Sequence, residues 1–142
     1  MTTSSTKTEV GSYFISNYPP FSTWSADDVG AVRAAMNAPS ADVPLGLYLH
    51  IPFCRKRCKF CYFKVFTDKN SAEVERYLSA LSREIELVSK LPVIGGRPFR
   101  FVYFGGGTPS FLSSRQLERL VDRLRANVSW DAAEEVTFEC EP

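Results

Sequence analysis

Two hydrophobic periods alternate along the last two thirds of the chain. Leu45 to Ile51 is a short, mostly apolar run of the kind a doubly covered parallel strand shows. Val74, Tyr77, Leu78, Leu81, Ile85 and Val88 then recur at helical spacing. Asn70 and Ser71 cap that helix, with Glu73 placed for a capping box. Arg76, Arg83, Glu84 and Lys90 fall off the apolar stripe and read as a solvated face. Pro92, Gly95, Gly96 and Pro98 end the pattern. Phe99 to Phe104 predicts a second strand. Ser113 with Gln116 opens another helix, which turns Leu117, Leu120, Val121, Leu124 and Val128 inward. Glu135 to Glu139 predicts a third strand. The order is βαβαβ, an α/β arrangement that implies parallel strands joined by right-handed crossovers.

The first third is different. Residues 1–12 open on Met-Thr-Thr-Ser-Ser-Thr and read as a disordered tail. Residues 13–24 mix aromatics with Pro19-Pro20, which excludes a regular helix and suggests a strap. Ser25 is placed to cap a short helix running to about Met36, with Asp27 and Asp28 in its first turn. Pro39 and Pro44 mark a linker. The expected organisation is a tail over 1–12, an extension with a short helix over 13–44, and a regular core over 45–142.

Composition narrows the function classes. A formal net charge of +1 over 142 residues gives no field that points to nucleic acid or a membrane surface. No apolar run approaches the roughly 20 residues that span a bilayer, and no export signal is visible. A reducing, cytoplasmic setting is therefore expected.

The candidate chemistry lies in three clusters. Cys54, Cys58 and Cys61 follow the first strand as CxxxCxxC. Three thiolates this close suit one soft metal centre, whereas iron–sulfur clusters usually take four. Structural zinc, with His50 as a fourth ligand, is a rival reading; a disulfide framework or inert thiols are others. Cys140 reads as a small buried hydrophobe. Arg55, Lys56, Arg57 and Lys59 surround the triad with positive charge, whose bland role is solubility. Gly105, Gly106 and Gly107 follow the second strand; they let backbone approach a ligand and donate N–H groups, or simply make a tight turn. Thr108 offers a hydroxyl or a local cap. Glu139 closes the third strand, as a ribose-hydroxyl acceptor or a merely solvated carboxylate. Tyr48 and Phe60 are most simply core aromatics. In parallel sheets chemistry gathers at the carboxyl ends of strands, and all three clusters lie there.

Tyr48-Leu49-His50-Ile51-Pro52-Phe53-Cys54 with Cys58-Lys59-Phe60-Cys61, Tyr103 to Ser110 and Phe138 to Pro142 together resemble motifs of the radical S-adenosylmethionine (SAM) superfamily. The likeness is to the branch around oxygen-independent coproporphyrinogen III oxidase, from about Leu45 to the last residue. It implies the N-terminal part of a partial (β/α)6 barrel, with the remainder beyond Pro142. It implies a [4Fe–4S] cluster on Cys54, Cys58 and Cys61, whose open iron takes SAM. By the same resemblance Tyr48, Gly106 and Glu139 contact that SAM, while Phe60, Gly107 and Thr108 contact a second SAM. No catalytic residue is assigned, and His50 matches the pattern without a role. The oxidases carry a further cysteine where this chain has Phe63, so the expected activity is C-methylation or cyclopropanation of a small metabolite. An oxidase and a haem chaperone of the same branch are the alternatives. Expected partners are a small-molecule substrate, an electron donor such as flavodoxin or ferredoxin, and a partner methyltransferase.

Overall fold

A computed structural model describes residues 23–61 and 63–141. The expected tail and most of the expected strap lie outside them, as do Tyr62 and Pro142. The chain divides into two units, Met1–Ala35 and Met36–Pro142. Toward the end of the first, a 3-10 turn at Ala26–Asp28 leads into α1 (Val29–Met36). Ser25 caps the turn: its hydroxyl accepts the Asp27 N–H at 3.2 Å, and the Asp28 carboxylate accepts the Ser25 N–H at 3.0 Å.

The second unit holds β1 (Leu45–Ile51), α2 (Ser71–Val88), β2 (Phe99–Gly106), α3 (Ser114–Asn127) and β3 (Glu135–Phe138). All three strands are parallel, in the order β1-β2-β3. Both crossover helices start where side chains satisfy otherwise orphaned N–H groups. Asn70 Oδ1 accepts the Glu73 N–H at 3.0 Å and Glu73 Oε2 accepts the Asn70 N–H at 3.1 Å. Ser113 and Gln116 repeat this reciprocal box at α3.

Register decides which side chains meet. Leu45 pairs with Phe99 and Gly46 with Phe101, so the pairing slips once at Arg100. Beyond the slip, Leu47, Leu49 and Ile51 share a face with Val102 and Phe104, because side chains alternate along a strand. That face carries the core. Leu49, Ile51, Val102 and Phe104 cluster with Val74, Leu78 and Ile85 of α2 and with Leu120 and Leu124 of α3, all buried. Each such side chain contributes about 1.5–3 kcal/mol on leaving water.

The other sheet face differs from the doubly covered strand that the apolar run predicted. Tyr48, Phe101 and Tyr103 are exposed there. β1 alternates rather than being buried throughout, with Leu49 and Ile51 inside and Tyr48 out. The run looked mostly apolar because Gly46 and Tyr48 stand at two of its outward positions, with His50 at the third. Two smaller differences follow from helix and strand ends. Val88 is exposed at the last turn of α2 rather than inward, and Cys140 is exposed rather than buried, because β3 has already ended at Phe138. Among the described residues no helix is long and apolar enough to cross a membrane.

Candidate functional site

Past Ile51 the chain of β1 continues beside the end of β2. The Gly107 N–H donates to the Ile51 carbonyl and the Thr108 N–H to the Phe53 carbonyl, both at 2.8 Å. Phe53 in turn bridges Phe66; the Cys54 N–H reaches the Phe66 carbonyl at 3.1 Å, and the Phe66 N–H reaches the Pro52 carbonyl at 2.8 Å. The loop that carries the cysteine triad is thus pinned where it leaves the sheet and where it returns. Phe53 anchors it sideways, edge-on to Tyr77 with ring centroids 5.3 Å apart. Cys54 is buried, and its sulfur accepts the Thr108 hydroxyl at 3.3 Å.

Close approach explains the three glycines. A Cβ on Gly107 would stand 2.9 Å from the Phe53 oxygen and 3.0 Å from both Cys54 Sγ and the Ile51 oxygen. Gly106 has φ +114, a backbone state that residues with a side chain rarely adopt, and a Cβ there would meet the His50 ring at 2.7 Å. A Cβ on Gly105 would meet the Tyr103 ring at 2.5 Å. The expectation that these glycines offer N–H groups to a ligand is not met at Gly106 and Gly107. The Gly106 N–H donates to Glu139 Oε2 at 3.1 Å, and that of Gly107 to Ile51. The motif brings strand ends together rather than presenting donors.

On the open face of the sheet, Tyr48 stands beside Tyr103 in register, and their rings stack at 5.8 Å. The Tyr103 hydroxyl donates to Glu139 Oε1 at 2.7 Å. The Tyr48 hydroxyl lies 3.0 Å from His50 Nδ1, and the Tyr77 hydroxyl donates to the His50 carbonyl at 2.6 Å. Glu139 is held in place by its own N–H on the Phe104 carbonyl at 3.1 Å. Hydrogen bonding to the Glu139 carboxylate raises the Tyr103 pKa; burial, then the charge of Glu139, raises that of Tyr48. Both tyrosines therefore stay neutral donors far into the alkaline range.

The structure gathers Cys54, Gly105, Gly106, Gly107, Thr108, Tyr48 and Glu139 at one end of the sheet. It does not bring the three thiols together. Cys58 is exposed and Cys61 half-buried on the loop, and the Cys61 N–H donates to the Cys58 carbonyl at 3.1 Å. Among the described residues no three Cys, His, Asp or Glu side chains stand close enough to hold a metal ion. All four cysteines are free thiols, so no disulfide framework exists. His50 is turned to Tyr48 and Gly106. Phe60 is 85% exposed on the loop and Tyr48 55% exposed, so the bland alternative of two core aromatics does not hold, and both stay open to a ligand. Tyr103 and His50 were missed as working parts of the site. Strand alternation does place Tyr103 on the face of Glu139, but only register shows that they touch.

No family model matches the chain. Oxygen-independent coproporphyrinogen III oxidase of Escherichia coli (strain K12) is 39% identical over 99 residues, which are 70% of this chain and 21% of that protein. The oxidase of the same name from Mannheimia haemolytica is 38% identical over 111 residues, 78% of this chain and 73% of that sequence. A protein named heme chaperone HemW, from Mycobacterium tuberculosis (strain ATCC 25618 / H37Rv), is 37% identical over 107 residues, 74% of this chain and 27% of its own length. Among solved structures, the coproporphyrinogen III oxidase HemN from Escherichia coli, described as a radical SAM enzyme, superposes with a TM-score of 0.69. It is 35% identical, over 84% of this chain and 27% of that one. The chain spans 21% to 27% of the length of its full-size Escherichia coli and Salmonella typhimurium relatives. Identity at this level over most of a relative, together with the shared fold, shows that the chain belongs to the oxygen-independent coproporphyrinogen III oxidase branch of the radical SAM superfamily.

Proposed function

We propose that this chain carries the cluster- and SAM-binding part of a radical SAM enzyme of the coproporphyrinogen oxidase type. One observation carries the reading: Cys54 bonded to Thr108, and Gly106 bonded to Glu139, lie at the same strand ends. Cys54, Cys58 and Cys61 would hold a [4Fe–4S] cluster, leaving one iron for SAM. The donor set fits, since the three are free thiols and the absence of a side chain at Gly107 keeps space open beside Cys54 Sγ, whose one hydrogen bond is to the Thr108 hydroxyl. The loop's pinned ends allow Cys58 and Cys61 to close on Cys54 without disturbing the sheet. When bound, such a cluster supplies the electron that splits SAM into methionine and a 5′-deoxyadenosyl radical.

The chain's own residues bind and orient. Glu139 accepts one donor on each oxygen from within the chain. A carboxylate has about four lone-pair sites, so acceptor capacity remains for ribose hydroxyls. The stacked Tyr48 and Tyr103 rings provide a flat apolar floor beside it. A second SAM is supported less evenly. Phe60 is open to a ligand, but Thr108 is 8% exposed with both its N–H and its hydroxyl bonded internally.

The oxidase reading of the substrate rests on the relatives' names, which also include a haem chaperone. No relative named in the comparison is a methylase or a cyclopropanase, so the preference drawn from Phe63 gives way to the oxidase. Phe63 in place of the oxidases' further cysteine favours the chaperone as a second reading.

Anaerobic reconstitution with iron and sulfide, then reduction with SAM present, tests the core claim. The expected product is 5′-deoxyadenosine; a preparation that retains no sulfide overturns the claim. Added coproporphyrinogen III should then be consumed. Stoichiometric haem binding without such turnover would favour the chaperone.

A further inference from the structure

Thr108 stands at the N-cap of the 3-10 turn Pro109–Phe111, where a threonine side chain ordinarily accepts a backbone N–H. It makes no such cap. Its hydroxyl reaches instead across 54 residues of sequence to Cys54 Sγ, at 3.3 Å. Both partners are buried and fixed by their backbones. The Thr108 N–H donates to the Phe53 carbonyl at 2.8 Å, and its carbonyl accepts the Phe111 N–H at 2.9 Å. The Cys54 N–H is held by the Phe66 carbonyl. Backbone donors that could have served the same sulfur are committed elsewhere, that of Gly107 to Ile51 among them. The other two thiols of the triad differ. Cys61 Sγ turns its own S–H toward the Phe63 carbonyl at 4.0 Å, a contact that ends once the proton leaves. Among the described residues no hydrogen bond is donated to the sulfur of Cys58 or Cys61. Three sulfurs of one donor set therefore start unequal, and Thr108 makes the difference.

We propose that the Thr108 hydroxyl, acting through Cys54 Sγ, raises the reduction potential of the cluster that Cys54, Cys58 and Cys61 would hold. Thr108 is then a positioning residue for electron entry rather than a catalytic one. The inference rests on the function proposed above. Hydrogen bonds to ligand sulfurs are among the factors that set cluster potentials. A donor withdraws electron density from the thiolate, and it stabilises the reduced state more, because that state carries one more negative charge. Burial strengthens the effect, since water cannot compete for this sulfur. One electron comes from a low-potential reductant, which is oxidised by one unit. The proton stays on the Thr108 oxygen, and no bond forms or breaks. The tether between the turn and the loop does not depend on the hydroxyl alone, since the Gly107 and Thr108 N–H groups already tie the turn to Ile51 and Phe53. The hydroxyl can therefore be removed with that backbone linkage in place.

The test is an anaerobic redox titration of the reconstituted full chain, followed by the electron paramagnetic resonance signal of the reduced cluster. Thr108→Val keeps the shape and the backbone N–H but removes the donor; Thr108→Ser keeps the donor and loses the methyl. Circular dichroism and bound sulfide should match the wild type in both. At a fixed potential the ratio of reduced to oxidised protein should fall about tenfold in Thr108→Val. For one electron that is a shift of about 59 mV to more negative potential. Thr108→Ser should titrate with the wild type. If the valine variant fails to load, Thr108→Ala compared with Thr108→Ser decides in its place, with the same shift expected for alanine. Coincident potentials in all variants, or a serine variant displaced as far as the valine, overturn the proposal while the proposed function stands. A wild type that retains no sulfide overturns that function, and this inference with it.

Discussion

Gly106 and Gly107 carry constraints that Gly30 and Gly46 do not, and substitution should separate them. A Cβ at Gly30 or Gly46 meets nothing within 4 Å. Gly30→Ala, in an exposed helix, should therefore raise stability by about 0.5–1 kcal/mol. Gly106→Ala places a side chain at φ +114 against the His50 ring and should lower stability by about 1–3 kcal/mol in denaturant titrations. Gly107→Ala meets two carbonyl oxygens and Cys54 Sγ, so it should also displace Cys54 and weaken iron uptake. Tyr103 makes a second prediction at this scale. Its pKa is raised in the folded chain, so the unfolded chain loses this proton first as pH climbs past about 10. The contribution to stability is complete below that pH and is lost as pH rises through the folded value. Tyr103→Phe should remove part of the alkaline loss seen in pH-dependent melting. It should also weaken SAM binding through a less fixed Glu139. Glu86 works in the opposite direction. Lys90 and Arg83 hold its carboxyl down to about 2, so its small, salt-sensitive contribution is present above about 4.5 and is lost as pH falls toward 2.

The secondary elements depend on local signals, which is why they were legible. Asn70 with Glu73, and Ser113 with Gln116, lie within four residues of each other and need no tertiary information to form their caps. The start of α2 follows from the sequence to the residue. Asn70→Ala should cost about 1 kcal/mol, and Leu120→Ala, which is fully buried between α3 and the sheet, about 2–5 kcal/mol. What needed register was hidden. Nothing in the run Tyr103 to Gly107 tells that Gly106 faces the His50 ring and Gly107 faces Cys54 Sγ, because those neighbours depend on the slip at Arg100 and on the parallel pairing. Glu139 could be picked out as the last residue of a strand-like run, but its two internal donors, Tyr103 and Gly106, lie more than 30 residues away in sequence. Cys140 was misplaced for a related reason: the apolar pattern of β3 does not reveal that pairing stops at Phe138. The Gly-Gly-Gly run advertised a ligand loop, whereas the geometry makes it first of all a place where three chain segments touch.

At the scale of the molecule, the cysteine loop and the glycine turn form one mechanical piece. Thr108 joins them through its N–H to Phe53 and its hydroxyl to Cys54, and Gly107 joins the turn to Ile51. A ligand that gathers Cys58 and Cys61 onto Cys54 must therefore stiffen both segments, while the α2–α3 face, held by Glu75 with Gln116 and Arg119, lies outside that linkage. Because such a ligand needs ligating groups positioned by the fold, binding favours the native state and should raise the melting temperature under anaerobic conditions. Hydrogen exchange measured before and after loading tests the coupling. Amides at 54–61, 63–66 and 107–108 should slow together, and those of α3 should change little. Cys61→Ser should abolish the slowing in both segments, even though among the described residues no hydrogen bond joins Cys61 to Thr108. A loop that slows while residues 107–108 do not would separate the two segments mechanically. It would then leave the Thr108 hydroxyl as a local bond to sulfur rather than the link between the metal-binding loop and the face that carries Glu139.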